Sequence, residues 1–325
     1  MFRRVSISRH IIALFFLACL LLLPSVSPAL AASDDKPQKS DNQNQKQDQK
    51  QPTTVQVPVT RYLALGDSLA YDFQPNDDHT HGYVDDLFTT LQNWGVADHV
   101  NLGCPRETTS TFIAGGECSY PLHSQLATAL AYLQQASAGH ATLVTLDIGA
   151  NNVLGNMTID IQNKSCIVDG NKFNTDLQTL DQHLTQTILP QLHDALIDQR
   201  GQSIGNLALL NYYDPFQNAC PNTLPLIQTL NTHLAQDIEG FGTLMDIFSA
   251  FGGAATPNPN LCNYTWTCSA PPLGPDIHPT TTGYQVMARA IESQNLQNVF
   301  QTVNVPSGDC GNGNNCKGSN GSKDD

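Results

Sequence analysis

The strongest constraint in this chain is an alternation of short, almost wholly apolar runs with longer amphipathic ones. The sharpest short run is 141–148, Ala-Thr-Leu-Val-Thr-Leu-Asp-Ile, which is rich in β-branched residues. Runs at 61–65, 99–102, 204–212 and 244–248 read as four more strands. A strand that is apolar on both faces must be covered on both faces, which is the condition of a parallel sheet. The amphipathic stretches at 83–94, 122–135, 174–199, 224–239 and 281–296 read as the covering helices. In 174–199 the residues Leu177, Leu180, Leu184, Ile188, Leu192 and Leu196 recur at helical spacing, with Pro190 expected to kink the helix. Strand and helix in turn predict a doubly wound, five-stranded parallel sheet in a three-layer α/β/α domain spanning 57–305.

The ends differ in composition. Arg3, Arg4 and Arg9 precede the thirteen apolar residues 11–23, and Ala29-Leu30-Ala31 follows. This is the pattern of a signal peptide over 1–31, cleaved after Ala31, and the apolar run is too short to span a bilayer comfortably. Residues 32–56 are dominated by Gln, Asp, Lys, Asn and Ser, too polar to build a core, and read as a disordered spacer. Residues 306–325 read as a flexible tail.

Export fits the cysteines. Outside the leader there are eight: Cys104, Cys118, Cys166, Cys220, Cys262, Cys268, Cys310 and Cys316. An even number in an exported chain predicts disulfides. Three sequence-local couples (104 with 118, 262 with 268, 310 with 316) are the simplest arrangement, and spacing alone does not fix the connectivity. No CxxC-like cluster suggests zinc. The leader removes three arginines and no acid, taking the formal charge from −14 to −17. That balance disfavours nucleic acid and anionic membranes as partners. A soluble monomer without stable membrane insertion is expected.

In an open parallel sheet, ligands bind beyond the carboxyl ends of the strands, so catalytic residues should follow strands directly. Gly66-Asp67-Ser68-Leu69 follows the first strand and offers a serine at a sharp turn. A serine needs a neighbouring base to become nucleophilic, although a helix cap would also account for Asp67 or Ser68. Asp276-Ile277-His278-Pro279 precedes the last helix and supplies a histidine. Gly149-Ala150-Asn151-Asn152 follows the apolar strand 141–148, and the Asn151 amide can donate to a developing oxyanion. The loop after the second strand, Asn101-Leu102-Gly103-Cys104-Pro105-Arg106-Glu107-Thr108, offers backbone N–H donors, with Gly103 and Arg106 as candidate oxyanion or substrate contacts.

Taken together and in this order, these blocks resemble the SGNH/GDSL hydrolases over roughly residues 62–290. The resemblance implies a flavodoxin-like fold and a secreted esterase or lipase. Ser68 would be the nucleophile and His278 the base. The oxyanion would be held by the Ser68 N–H, a backbone N–H of the 101–108 loop and the Asn151 side chain. No cofactor is implied. Three positions depart from the family pattern. Arg106 stands where a glycine is usual, so a positive φ there would be strained. Asn152 replaces the usual aspartate. The acid of the last block, usually three residues before the histidine, is Pro275 here. Either the Asp276 carboxylate or a backbone carbonyl would then orient His278. The same machinery could instead serve carbohydrate O-acetyl groups or acyl transfer to an alcohol, and an inactive glycan- or lipid-binding relative is the alternative from another class. The segment Asp77-Asp78-His79-Thr80-His81 carries metal-ligand residue types but reads as a solvated loop. The segments 153–173 and 252–275 are candidate walls of a substrate groove, and Asn156, Asn163, Asn263 and Asn320 begin glycosylation sequons.

Overall fold

A computed structural model of the protein describes residues 53–56, 59–135, 141–160, 165–199, 201, 203–294 and 302–305. The expected leader, most of the expected spacer and the expected tail, with Cys310 and Cys316, lie outside the described residues. The chain runs β1 (Thr53–Gln56), β2 (Val59–Gly66), α1 (Tyr83–Gln92), β3 (Asp98–Asn101), α2 (Thr109–Ala114), α3 (Gln125–Gln134) and β4 (Ala141–Asp147). It continues with α4 (Ala150–Leu154), β5 (Met157–Asp160), β6 (Ser165–Val168), α5 (Gly170–His183), α6 (Leu189–Ala195), β7 (Gly205–Leu210) and α7 (Leu224–Asp237). The last elements are β8 (Thr243–Met245), α8 (Ile247–Ala250), α9 (Leu261–Tyr264), α10 (Thr281–Ser293) and β9 (Thr302–Val305).

Five strands form a parallel sheet in the order β3-β2-β4-β7-β8. The order reverses between the first two crossovers, so right-handed connections put helices on both faces. Helices α1 and α10 pack together in one layer, while α3 meets α6 and α5 meets α7 in the other. Strand β4 is central and buried along its whole length, its polar residues being two threonines and Asp147. The three-layer α/β/α architecture matches the expected fold class.

Several boundaries move for local reasons. The expected fifth strand, 244–248, ends at Met245. Asp246 turns the chain into α8, its side chain accepting the Ser249 N–H at 3.0 Å. The expected helix 174–199 begins earlier, at Gly170, where Asp169 caps it. A π-helical turn, Leu184–Ile188, then links α5 to α6. Pro190, which has no N–H to give, sits in the first turn of α6 just after that turn, where a missing donor is tolerated. The spacer expected over 32–56 is corrected at its end: Thr53–Gln56 pairs antiparallel with Thr302–Val305. Both segments carry β-branched residues suited to a strand. The hairpin β5–β6 and the helices α2 and α4 are too short to announce themselves by periodicity.

Candidate active site

Strand β2 ends on Gly66, whose φ is +139°. A Cβ at this position would lie 2.2 Å from the Asp147 carbonyl oxygen, so only glycine lets β2 run so close to β4 and then turn. The turn carries Asp67 and Ser68. Asp67 caps it, its Oδ1 accepting the Leu69 N–H at 3.0 Å. The Ser68 hydroxyl is left to face a different part of the chain.

That partner is His278, 210 positions away. Its Nε2 stands 2.9 Å from Ser68 Oγ. On the other side of the ring, Nδ1 stands 2.6 Å from Asp276 Oδ1, which also accepts the His278 backbone N–H at 2.9 Å. Of the two orienting groups left open by the sequence, the geometry brings the Asp276 carboxylate to the ring. Burial alone would raise this carboxyl, but the hydrogen bond and charge of His278 outweigh burial and hold it below its ordinary value. The loop is held from both sides. Trp266 N donates to the His278 carbonyl at 3.0 Å, Asp276 N to the Trp266 carbonyl at 3.1 Å, and the Tyr213 hydroxyl to the Ile277 carbonyl at 2.7 Å. The Phe73 ring lies 4.5 Å from the imidazole.

Strand β4 passes through Gly149 (φ +127°) into α4. Asn151 Nδ2 donates to the Glu107 carbonyl at 3.1 Å. An amide has two N–H bonds, so this contact orients the group and leaves a second donor. Asn152, where an aspartate is usual, uses both sides of its amide: Oδ1 accepts Thr109 N at 3.0 Å and Nδ2 donates to Thr109 Oγ1 at 2.8 Å. The two asparagines together tie α4 to the loop after β3.

In that loop Arg106 has φ +68°. The left-handed backbone that the usual glycine would supply is therefore retained with an arginine in place. Its guanidinium reaches outward to Glu117 at 2.8 Å. The Cys104–Cys118 disulfide closes the loop, and Cys104 N donates to the Gly66 carbonyl at 3.1 Å. Gly103 is not brought to the site: its N–H donates to Asn101 Oδ1 at 2.9 Å, and a Cβ would strike Tyr71 N at 2.4 Å. It permits close packing under the turn that carries Ser68. By contrast, the N–H groups of Ser68 and Arg106 donate to no acceptor among the described residues.

Two tiers of residues behind the site carry no motif. Gln125, at the start of α3, accepts the Gly66 N–H at 2.6 Å and donates to the Gly66 carbonyl at 3.0 Å. It also donates to the buried Glu107 carboxyl at 3.1 Å, which takes the Tyr120 hydroxyl at 3.0 Å as well. Asp147, at the end of β4, accepts the Asp67 N–H at 3.0 Å and the Tyr83 hydroxyl at 2.6 Å. The signal available in sequence was a lone acid closing an otherwise uncharged strand.

A cavity of about 550 Å³ opens at Ser68, Asn151, Arg106 and His278. Beyond them its wall is apolar, with Leu154 of α4, Pro215, and Ile227 of α7. Two tyrosines also line it, but their hydroxyls are committed, Tyr212 to Asp67 Oδ2 at 3.0 Å and Tyr213 to the Ile277 carbonyl.

Elsewhere, Cys166–Cys220 joins the β5–β6 hairpin to the loop after β7, and Cys262–Cys268 closes the segment beside His278. His81 pairs with Asp78 at 2.9 Å and His79 with Asp77 at 3.3 Å on an exposed loop. Among the described residues no group of three His, Cys, Asp or Glu stands as metal ligands would, and no helix is long and apolar enough to cross a membrane. Asn156 is buried and donates to Asp176 at 3.0 Å, so its sequon is inaccessible. Asn263 is exposed, and Asn163 and Asn320 lie outside the described residues.

The sequence profile of the GDSL-like Lipase/Acylhydrolase family matches residues 64–286. No curated protein matches the chain. Among solved structures, the lipase Lip_vut3 from a goat rumen metagenome is 18% identical. Its TM-score is 0.53, and the match covers 73% of this chain and 98% of that one. The acetylxylan esterase Axe2 from Geobacillus stearothermophilus is 15% identical with a TM-score of 0.49, covering 74% and 96%. The likeness to Lip_vut3 concerns the fold alone.

Proposed function

Because the chain belongs to the GDSL-like Lipase/Acylhydrolase family, we propose that it is an exported hydrolase of carboxylic esters that passes the acyl group from substrate to Ser68 and then to water. The observation that carries this reading is the 2.9 Å approach of His278 Nε2 to Ser68 Oγ, with Asp276 at 2.6 Å on the other ring nitrogen. His278 takes the serine proton as Oγ attacks the ester carbonyl. Asp276 holds the ring in the tautomer that accepts at Nε2 and stabilises the imidazolium. The negative charge on the carbonyl oxygen falls to the Ser68 N–H, the Arg106 N–H and the second Asn151 N–H. Such a preorganised donor contributes about 3 kcal/mol. His278 then gives its proton to the leaving alcohol, and water repeats the sequence on the acyl-enzyme. Every step uses protein groups and water alone.

The wall of the cavity supports an ester with an apolar acyl group. Its polar groups are those of the reaction or have their hydroxyls committed elsewhere, which leaves few partners for sugar hydroxyls. The basic start, apolar run and Ala-Leu-Ala site of the leader support export. Three disulfides fit an oxidising compartment. The hydrolase domain spans 57–305 with Thr53–Gln56 as an added strand, and a monomer is proposed.

The test is a series of p-nitrophenyl esters, from acetate to palmitate, with wild type and Ser68→Ala. Wild type is expected to turn over esters, and the variant to fall to background while remaining folded. Equal rates in the two proteins would remove Ser68 from the mechanism. No hydrolysis by either would favour a binding relative.

A further inference from the structure

Asp147 is the single acid of β4 and is fully buried under the site. Its side chain has a role that the mechanism above does not use. Oδ1 accepts the N–H of Asp67 at 3.0 Å and that of Ala70 at 3.3 Å. These two amides lie on either side of Ser68. Oδ2 accepts the hydroxyl of Tyr83, the first residue of α1, at 2.6 Å. The carboxyl also presses on the turn itself, since a Cβ on Gly66 would lie 2.4 Å from Oδ1. The nucleophile turn is thus gripped by one side chain, which is itself held by a helix on one face of the sheet.

We propose that Asp147 is a positioning residue for the nucleophile: its carboxyl holds the N–H groups flanking Ser68, and so sets where the hydroxyl meets His278, acting as a neutral hydrogen-bonding group rather than as a charge. The proposal rests on the serine-hydrolase reading of the same site. Neutrality follows from the surroundings. Among the described residues no arginine or lysine contacts the group, and an unpaired buried carboxylate is costly. Burial first, and the neighbouring Asp67 second, push the Asp147 carboxyl well above its ordinary range. Burial raises the neighbouring Asp67 carboxyl as well. Asp67 keeps its acceptor role toward Leu69 N and Tyr212. An amide has the shape of the protonated acid and keeps the Oδ1 acceptor, so Asp147→Asn should preserve the grip. Asp147→Ala removes it. Misplacing a reacting group by about 1 Å can cost about 100-fold in rate, and because the substrate cavity is untouched the loss belongs in kcat.

The experiment measures kcat and KM for p-nitrophenyl butyrate, with urea unfolding, for wild type, Ser68→Ala, Asp147→Asn, Asp147→Ala and Tyr83→Phe. Expected are an Asn variant within about threefold of wild-type kcat and an Ala variant lower by about 100-fold, with KM within about twofold in both. Rescue by the isosteric amide, confined to kcat, is what general loosening of the fold would not produce. If Asp147→Ala does not fold, Tyr83→Phe carries the test. It leaves the carboxyl without its hydroxyl partner and is expected to lower kcat by about fivefold or more at constant KM. An Asn variant as impaired as Ala, or Ala and Phe variants at wild-type kcat, overturns the role of Asp147 alone. A wild type that hydrolyses no ester, or one equalled by Ser68→Ala, overturns the reading beneath it as well.

Discussion

Arg106 holds a backbone conformation that favours glycine, and the cost can be read by replacing it two ways. At φ +68° a residue with a Cβ is strained by about 1–2 kcal/mol. Glycine relieves that strain but adds disorder to the unfolded chain, which costs about 0.4–1 kcal/mol. The arginine also makes an ion pair with Glu117. With the Arg106 side chain 84% exposed, that pair contributes at most about 1 kcal/mol. Both Arg106→Ala and Arg106→Gly lose the pair equally, so it cancels from their comparison. What remains is strain relieved against entropy added, which leaves Arg106→Gly more stable than Arg106→Ala by about 1 kcal/mol. For a domain of this size the difference is about 2–4 °C in Tm. Urea unfolding and thermal melts at pH 7, on oxidised protein, read it directly. If Arg106→Ala proves as stable as Arg106→Gly, the loop relaxes when the arginine is removed and the strain argument fails.

Asn151→Ala is expected to lower kcat by about 100- to 1,000-fold with little change in KM, because the lost donor acts on charge that exists only in the transition state; an equal loss in KM would mark a ground-state contact instead. Asp72 is buried at φ +63°, and burial, then the charges of Asp85, Asp86 and Asp78, raise its carboxyl to about 8. The folded chain therefore keeps a proton that the unfolded chain sheds near pH 4, and this contribution to stability is present at low pH and lost as pH rises toward 8. Asp72→Asn should match wild type in Tm near pH 4.5 and exceed it at pH 8, and a Tm difference that ignores pH would refute this. The Cys166–Cys220 bridge closes 54 residues, so Cys166→Ser/Cys220→Ser is expected to lose about 4 kcal/mol of unfolding free energy, measured in urea; a loss below about 1 kcal/mol would mean the hairpin is held by packing alone.

Much of this arrangement was legible in the sequence because the physics behind it is local. Burial on both faces keeps β4 free of ionisable side chains but for Asp147, and a serine at a sharp turn beyond a strand end leaves a short motif such as Gly66-Asp67-Ser68. His278 was legible by its place before the last helix. The partners of the turn were not. Gln125 and Asp147 meet Gly66 and Asp67 across 59 and 80 residues of chain, and neither sits in a pattern that periodicity or spacing can reveal. The strand β8 ends before the apolar run does because one capping aspartate, Asp246, outweighs the residues that follow it. The backbone of Arg106 illustrates the opposite case. A residue that looked incompatible with a left-handed turn occupies it, fixed by Cys104 on one side and Glu107 on the other.

The small closed ring from Cys262 to Cys268 has a practical consequence. Backbone groups of Asn263, Tyr264 and Trp266 inside it bond to Asp276, His278 and Thr280, so His278 is moored on one side to a peripheral clip and on the other to Tyr213 beyond β7. Removing that clip alone, in Cys262→Ser/Cys268→Ser, would loosen the imidazole while the parallel strands stay intact. The double variant would then show native circular dichroism with lowered turnover.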